Sequence, residues 1–149
     1  MAFKEAVRAI LTAKGSAVWS VPADTSVFDA VLMMAEKDVG ALVVMEGGKL
    51  AGMFSERDYA RKVILHGKSS KEALVREIMS SPVVTVSPEE TVDECMRIVT
   101  RHRVRHLPVV EGGQLVGLIS IGDLVNWIIS AQAETIHQLS SYIAGKYPG

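Results

Sequence analysis

Cysteine is almost missing: Cys95 is the single example in 149 residues. One thiol excludes an internal disulfide and any zinc site built from several cysteines, and it fits a reducing compartment, with the cytoplasm as the default. No stretch of 18 apolar residues occurs, so no membrane span is expected. No secretory signal is expected either, because Lys4, Glu5 and Arg8 interrupt the apolar positions of the first residues. Charge of one sign is also lacking. A formal net charge of -1 and a pI near 6.4 do not suggest bulk nucleic-acid binding, and any basic patch has to be local. His-Glu-X-X-His and Gly-X-Ser-X-Gly are both absent, which leaves no metal site and no nucleophile elbow to expect. With 48% hydrophobic and 22% charged residues, the composition is that of an ordinary globular chain.

What is present is a repeat. Gly52, Ser55 and Asp58 return 65 positions later as Gly117, Ser120 and Asp123, and an ungapped alignment runs from Val21 against Val86 to Ala60 against Val125. Of those 40 pairs, 12 are identical, where chance gives about two or three. Such self-similarity predicts two copies of one fold, neither of them large enough to bury a core comfortably alone.

The local pattern supports this. Phe3, Val7, Ile10 and Leu11 predict a short helix over 3–13 that ends at Lys14 and Gly15. A strand over 17–21 follows. Asp24, Thr25 and Ser26 offer caps to a helix carrying Val27, Ala30, Val31, Met34 and Ala35, which ends around Lys37 and Asp38. Strands 41–45 and 50–54 flank a Gly47-Gly48 turn, and a helix over 55–65 closes the unit. A second entry arm over 75–79 then leads into strand 83–86, helix 91–102, strands 106–110 and 115–120, and a final helix. That helix runs from Gly122 or Asp123 into the 140s on Leu124, Trp127, Ile128, Ala131, Ile136, Leu139 and Ile143. The expected fold is α+β: two pseudo-twofold-related β-α-β-β-α units, residues 1–75 and 76–149, with their small sheets packed together and a long C-terminal helix.

In each copy Ser-X-X-Asp opens a helix directly after a strand. As structure this is a capping box. Exposed amides at a helix start also attract phosphate, and a carboxylate accepts hydrogen bonds from a vicinal diol such as ribose. A nucleoside with phosphate nearby satisfies both groups.

The doubled motif, together with His106, Leu107, Pro108 and Val109 before the second hairpin, resembles the paired cystathionine beta-synthase domains, called CBS pairs or Bateman modules. The resemblance covers about residues 3 to 130. It implies binding without catalysis: an adenine nucleotide in clefts between the repeats, AMP first, with ADP, ATP, NAD(H) or S-adenosylmethionine as alternatives. Carried over residue by residue, Asp58 and Asp123 would hold ribose hydroxyls, and Ser55 and Ser120 would approach phosphate or ribose. Residues 17–20, with Val18 and Ser20, and residues 83–85, with Val84 and Thr85, would face adenine. Arg105 and His106 match the basic pair that faces phosphate. The copies differ here, because repeat one has Gly40 and Ala41 in place of that pair, and Arg57 where repeat two has Gly122. Arg57 offers a planar fork to a phosphate, whereas Gly122 permits close approach. Homodimerisation, an effector protein and a signal-transduction role are also implied.

Blander readings compete. Arg97 and Arg101 fit a solvated helix end, and Arg103 is ambiguous. His102 and His106 have i,i+4 spacing, but the helix is expected to end between them; His66 and His137 read as surface residues. Cys95 lies on an apolar stripe with Val92, Met96 and Val99, which makes it a small core residue. The alternative functions are a ligand-free interaction module and, from another class, a nucleotide-acting enzyme with Asp58 or Asp123 as base or metal ligand.

Overall fold

The computed structural model describes residues 4–15 and 17–143, with side chains as far as residue 134. Phe3, expected in the first helix, and the side chains of Ile136, Leu139 and Ile143 lie outside the described residues.

Helix α1 (Val7–Lys14) buries Val7, Ile10 and Leu11, and it ends at Gly15. There φ is 94°, a value that favours glycine, and the Gly15 N–H closes on the Leu11 carbonyl at 2.8 Å. Strand β1 (Ser20–Pro22) is shorter than the expected 17–21, because its pairing with the next strand begins only at the Trp19 carbonyl, which accepts the Val43 N–H. Helix α2 (Val27–Lys37) starts under Ser26, whose hydroxyl accepts the Asp29 N–H at 3.1 Å, and stops at Asp38 with φ 54°. β2 (Ala41–Glu46) and β3 (Lys49–Ser55) form the expected hairpin around Gly47 and Gly48, both at positive φ.

The helix expected over 55–65 opens as one α turn, α3 (Glu56–Asp58), and continues as a π-helical segment (Tyr59–Ile64). Asp58 and Val63, five residues apart, are both buried there. An α-helix would turn them about 140° from one another at ~100° per residue, whereas the wider turn keeps both on the inner face.

The second unit repeats this order through α4 (Val75–Ile78), α5 (Val92–His102), β4 (His106–Glu111), β5 (Gln114–Ser120) and α6 (Ile121–Ile143). Thr91 caps α5 as Ser26 caps α2, and Arg103 ends it at φ 54° as Asp38 ends α2. One element is lost: the strand expected over 83–86 shrinks to a single parallel bridge between Val86 and Val109. Pro108 explains the loss. It occupies the place of Val43, whose N–H bonds Trp19 in the first sheet, and proline has no N–H to give. The sheets are therefore β1-β2-β3 and β4-β5.

The entry arms are exchanged. α1 precedes the first repeat but packs Val7, Ile10 and Leu11 into the core of the second, with Val92, Leu107, Val109 and Ile119. α4, in the linker, seats Val75 and Ile78 on the first core with Val27, Leu42 and Phe54. Backbone bonds mark the equivalence: Val7 N–H reaches Glu90 O and Arg8 N–H reaches Pro88 O, while Val75 N–H reaches Thr25 O and Arg76 N–H reaches Ala23 O. Between the sheets, Ala41, Val43 and Met53 pack with Val18, Val83, Leu115 and Leu118, which joins the two cores. Arms and seam bury what neither repeat could cover alone.

Candidate functional site

Each repeated Ser-X-X-Asp lies where the hairpin's last strand turns into a helix, so the pleat and the helix start fix the side chains together. In the first copy, Ser55 Oγ accepts the Asp58 N–H at 3.2 Å, and the Ser55 N–H donates to Asp58 Oδ2 at 3.1 Å. The Ser55 hydroxyl is 3.0 Å from the same oxygen. Oδ1 is taken as well: the Ser80 hydroxyl donates to it at 3.0 Å, and Lys62 Nζ lies 3.2 Å away. Lys62 also donates to the Ile78 carbonyl at 2.9 Å. Asp58 is 8% exposed, and all of this ties α3, the π-helical segment and the linker into one knot.

The second copy is capped in the same way: Ser120 N–H to Asp123 Oδ2 at 2.8 Å, and Asp123 N–H to Ser120 Oγ at 3.0 Å. Its additional partner is different. Lys14, the last residue of α1, donates to Asp123 Oδ2 at 2.7 Å and to the Leu118 carbonyl at 2.9 Å. Burial works against ionisation of Asp123, but Lys14 and Ser120 outweigh it, and the carboxyl sits below its ordinary value. His106, which pairs with Ser120 across the hairpin, is held below its ordinary value chiefly by burial; Lys14 and Arg105 add to this against the pull of Asp123. Ser120, Asp123, His106 and Lys14 thus form one half-buried polar cluster.

The remaining predicted residues are more dispersed. Arg57 Nη1 reaches from the first helix start to the Arg103 carbonyl in the second repeat, at 3.5 Å. The Arg105 side chain is exposed, while its carbonyl accepts the Ile121 N–H at 2.8 Å. Gly122 is exposed and is not forced to be glycine by packing, since an added Cβ would meet only Ser120 Oγ, at 3.5 Å. Val18 is half-buried in the seam and Val84 half-buried on the second core; Ser20 and Thr85 are exposed. Two open depressions are present, one of about 430 Å3 along α5 beside Met96 and Thr100, the other of about 390 Å3 between α2 and the first helix start, lined by Val31, Ala35, Gly40 and Glu56. Neither is lined by the motif serines or aspartates.

Sequence reasoning missed Lys14, Lys62 and Ser80. The Asp58–Lys62 pair had a readable i,i+4 signal. Lys14 and Ser80 had none, because they reach the motifs only through the exchange of arms. Arg103 ends α5 before His106, so the i,i+4 histidines do not share a helix. Among the described residues no group of three or more His, Cys, Asp or Glu side chains converges as metal ligands would, and no helix is long and apolar enough to cross a membrane.

Comparison with known proteins decides the family, since the CBS domain family model matches residues 7–64 and again 75–130. The chain belongs to the CBS domain family. It carries the domain in tandem, and its relatives agree in sequence and in fold. The CBS domain-containing protein CBSX3, mitochondrial, of Arabidopsis thaliana is 42% identical over 141 residues, covering 91% of this chain and 68% of that protein. A solved CBS-domain protein from Burkholderia ambifaria MC40-6, named for signal transduction, is 50% identical with a TM-score of 0.83 and covers 86% of this chain and 96% of that one. The hexameric CBS-CP12 protein from bloom-forming cyanobacteria is 32% identical with a TM-score of 0.73, covering 81% and 69% of the respective chains.

Within this CBS pair Cys95 is wholly buried on α5, and its thiol is pushed up to about 12, first by burial and then by Glu90 and Glu94. A thiol held protonated and out of solvent is inert. A chromogenic disulfide reagent should react with it only as the chain unfolds; full reaction of native protein within minutes would contradict the packing.

Proposed function

We propose that the chain is a non-catalytic regulatory module that binds an adenine nucleotide, AMP first, with NAD(H), ADP or ATP as alternatives, at the repeated helix starts between its two CBS repeats. Ligand binding biases the packing of the repeats and is read by an effector protein, which requires unequal affinity for two states of the module. The observation that carries this reading is the cluster at the second helix start. The Asp123 carboxyl accepts the Ser120 N–H and Lys14 at Oδ2, these partners hold it below its ordinary value against burial, and His106 stands beside it. A diol acceptor beside cationic and hydroxyl groups suits a ribose with its phosphate. Ser55, Arg57 and Asp58 would supply the corresponding groups at the first helix start, and adenine would lie against Val18 and Ser20 at the start of β1 and against Val84 and Thr85 in the segment before Val86.

A homodimer fits the surface. Ile121, Val125 and Ile129 stand exposed at i,i+4 spacing on α6, and Phe28 and Leu32 do so on α2. The buried thiol fits a reducing compartment, the cytoplasm by default, although the plant relative is named as mitochondrial. A second reading, a ligand-free interaction module, is favoured by one observation: both aspartates already serve as helix caps and neither depression reaches them.

Protein stripped of ligand and titrated calorimetrically with AMP, ATP, NAD and S-adenosylmethionine separates these readings, alongside a mass spectrum of what copurifies. Saturable heat with an adenine nucleotide is expected. Silence with all four ligands favours the scaffold, and turnover seen by chromatography favours an enzyme.

A further inference from the structure

Resting on the nucleotide reading, we infer that the two motif copies have parted in role: Asp58 is a strut, and Asp123 is the receiving carboxylate, closed by a removable latch, Lys14. Both oxygens of Asp58 are engaged, and one of the partners on Oδ1, Ser80, cannot easily leave. The Ser80 hydroxyl comes from a segment held to β3 by two backbone bonds, Ser80 N–H to Met53 O at 2.8 Å and Met53 N–H to Ser80 O at 3.1 Å. Lys62 is anchored at the same time on the Ile78 carbonyl. A ribose diol would have to dislodge the linker itself.

At Asp123 no strand among the described residues covers the carboxylate. α4 gives way to extended backbone at Met79, and Ser80 then pairs with β3; α1 instead continues in helix to Lys14. In place of a pinned backbone the second copy therefore meets the end of one flexible side chain, 37% exposed, on a carboxylate that is itself 24% exposed. Exposed ion pairs of this kind hold weakly. Oδ2 is filled by the Ser120 N–H and Lys14, so a diol that uses both oxygens needs Lys14 to swing away. An ammonium displaced from a carboxylate then has an incoming phosphate as its natural partner. Lys14 would thereby select nucleotide over nucleoside. Its release would also free the last turn of α1 from Leu118, making that arm the element that registers ligand.

Calorimetry on the full chain tests this with AMP and adenosine as probes, on the wild type, Lys14→Met and Ser80→Ala. Wild type should bind one AMP per chain. Lys14→Met should weaken AMP roughly tenfold, the scale of one charge-assisted bond, while adenosine stays level or tightens up to about fivefold as its competitor is removed. Ser80→Ala should lower the melting temperature and leave AMP affinity within about threefold, since it loosens only the strut. Two equivalent AMP sites per chain, or equal shifts of AMP and adenosine in Lys14→Met, would overturn the inference while leaving nucleotide binding intact. Absence of binding by wild type would instead remove the nucleotide reading, and the role of Asp123 with it.

Discussion

Gly52→Ala is expected to lower the midpoint of thermal unfolding by roughly 4–10 °C, the shift that an overpacking cost of about 1–3 kcal/mol produces in a domain of this size. A Cβ at Gly52 would stand 2.6 Å from Met79 Sδ and 3.0 Å from the Ser80 carbonyl oxygen. The methionine can move aside. The carbonyl cannot do so cheaply, because it accepts the Met53 N–H and forms half of the bridge that holds the linker to β3. At the equivalent Gly117 the obstruction is the Leu11 side chain, with Cδ2 at 2.6 Å, so Gly117→Ala should cost less. Gly122→Ala supplies the control: its Cβ has room and alanine suits a helix better, so stability should hold or rise slightly. Scanning calorimetry on the three variants gives the order. A Gly52→Ala protein as stable as wild type would mean that the linker does not lie against β3 as described.

Asp58→Ala should be the most damaging change at either motif, costing about 2–3 kcal/mol, since one hydrogen bond to a charged group contributes about 1.5–3 kcal/mol and a lost helix cap adds to it. The carboxylate joins Ser55, Ser80 and Lys62, and its removal leaves two hydroxyls, a backbone N–H and an ammonium without their common acceptor. Asp123→Ala removes one backbone partner and one half-exposed lysine, so its cost should be the smaller. Urea denaturation of both variants tests the ranking. Equal midpoints would contradict the strut at Asp58.

The fold was legible where the chemistry is local. The repeat is visible in the identical glycines, serines and aspartates, and the caps at Ser26, Ser55, Thr91 and Gly15 follow from residue type alone. Both hairpins could be read from Glu-Gly-Gly. The missing strand before Val86 was readable in principle, because Pro108 stands where Val43 donates, but the expectation followed the repeat and ignored the absent N–H. The π-helical segment has no counterpart in an apolar pattern read at 3.6 residues per turn. The exchange of arms was hidden for a different reason. The repeats align at 65 residues, whereas the arms correspond at 68, Val7 with Val75 and Ile10 with Ile78, so an ungapped comparison passes over them. Lys14 and Ser80 arrive at their aspartates along those arms, which is why the motif could be read while its closure could not.

The proposed nucleotide site depends on Asp123. Titrating AMP into stripped wild type and into Asp123→Ala, with circular dichroism to show that both are folded, measures it most directly. Wild type should give a saturable heat, and the variant should bind at least tenfold more weakly, the loss of about 1.4 kcal/mol or more that a charged acceptor supplies. The same binding constant in both proteins would contradict the assignment of the ribose carboxylate, and with it the site proposed here.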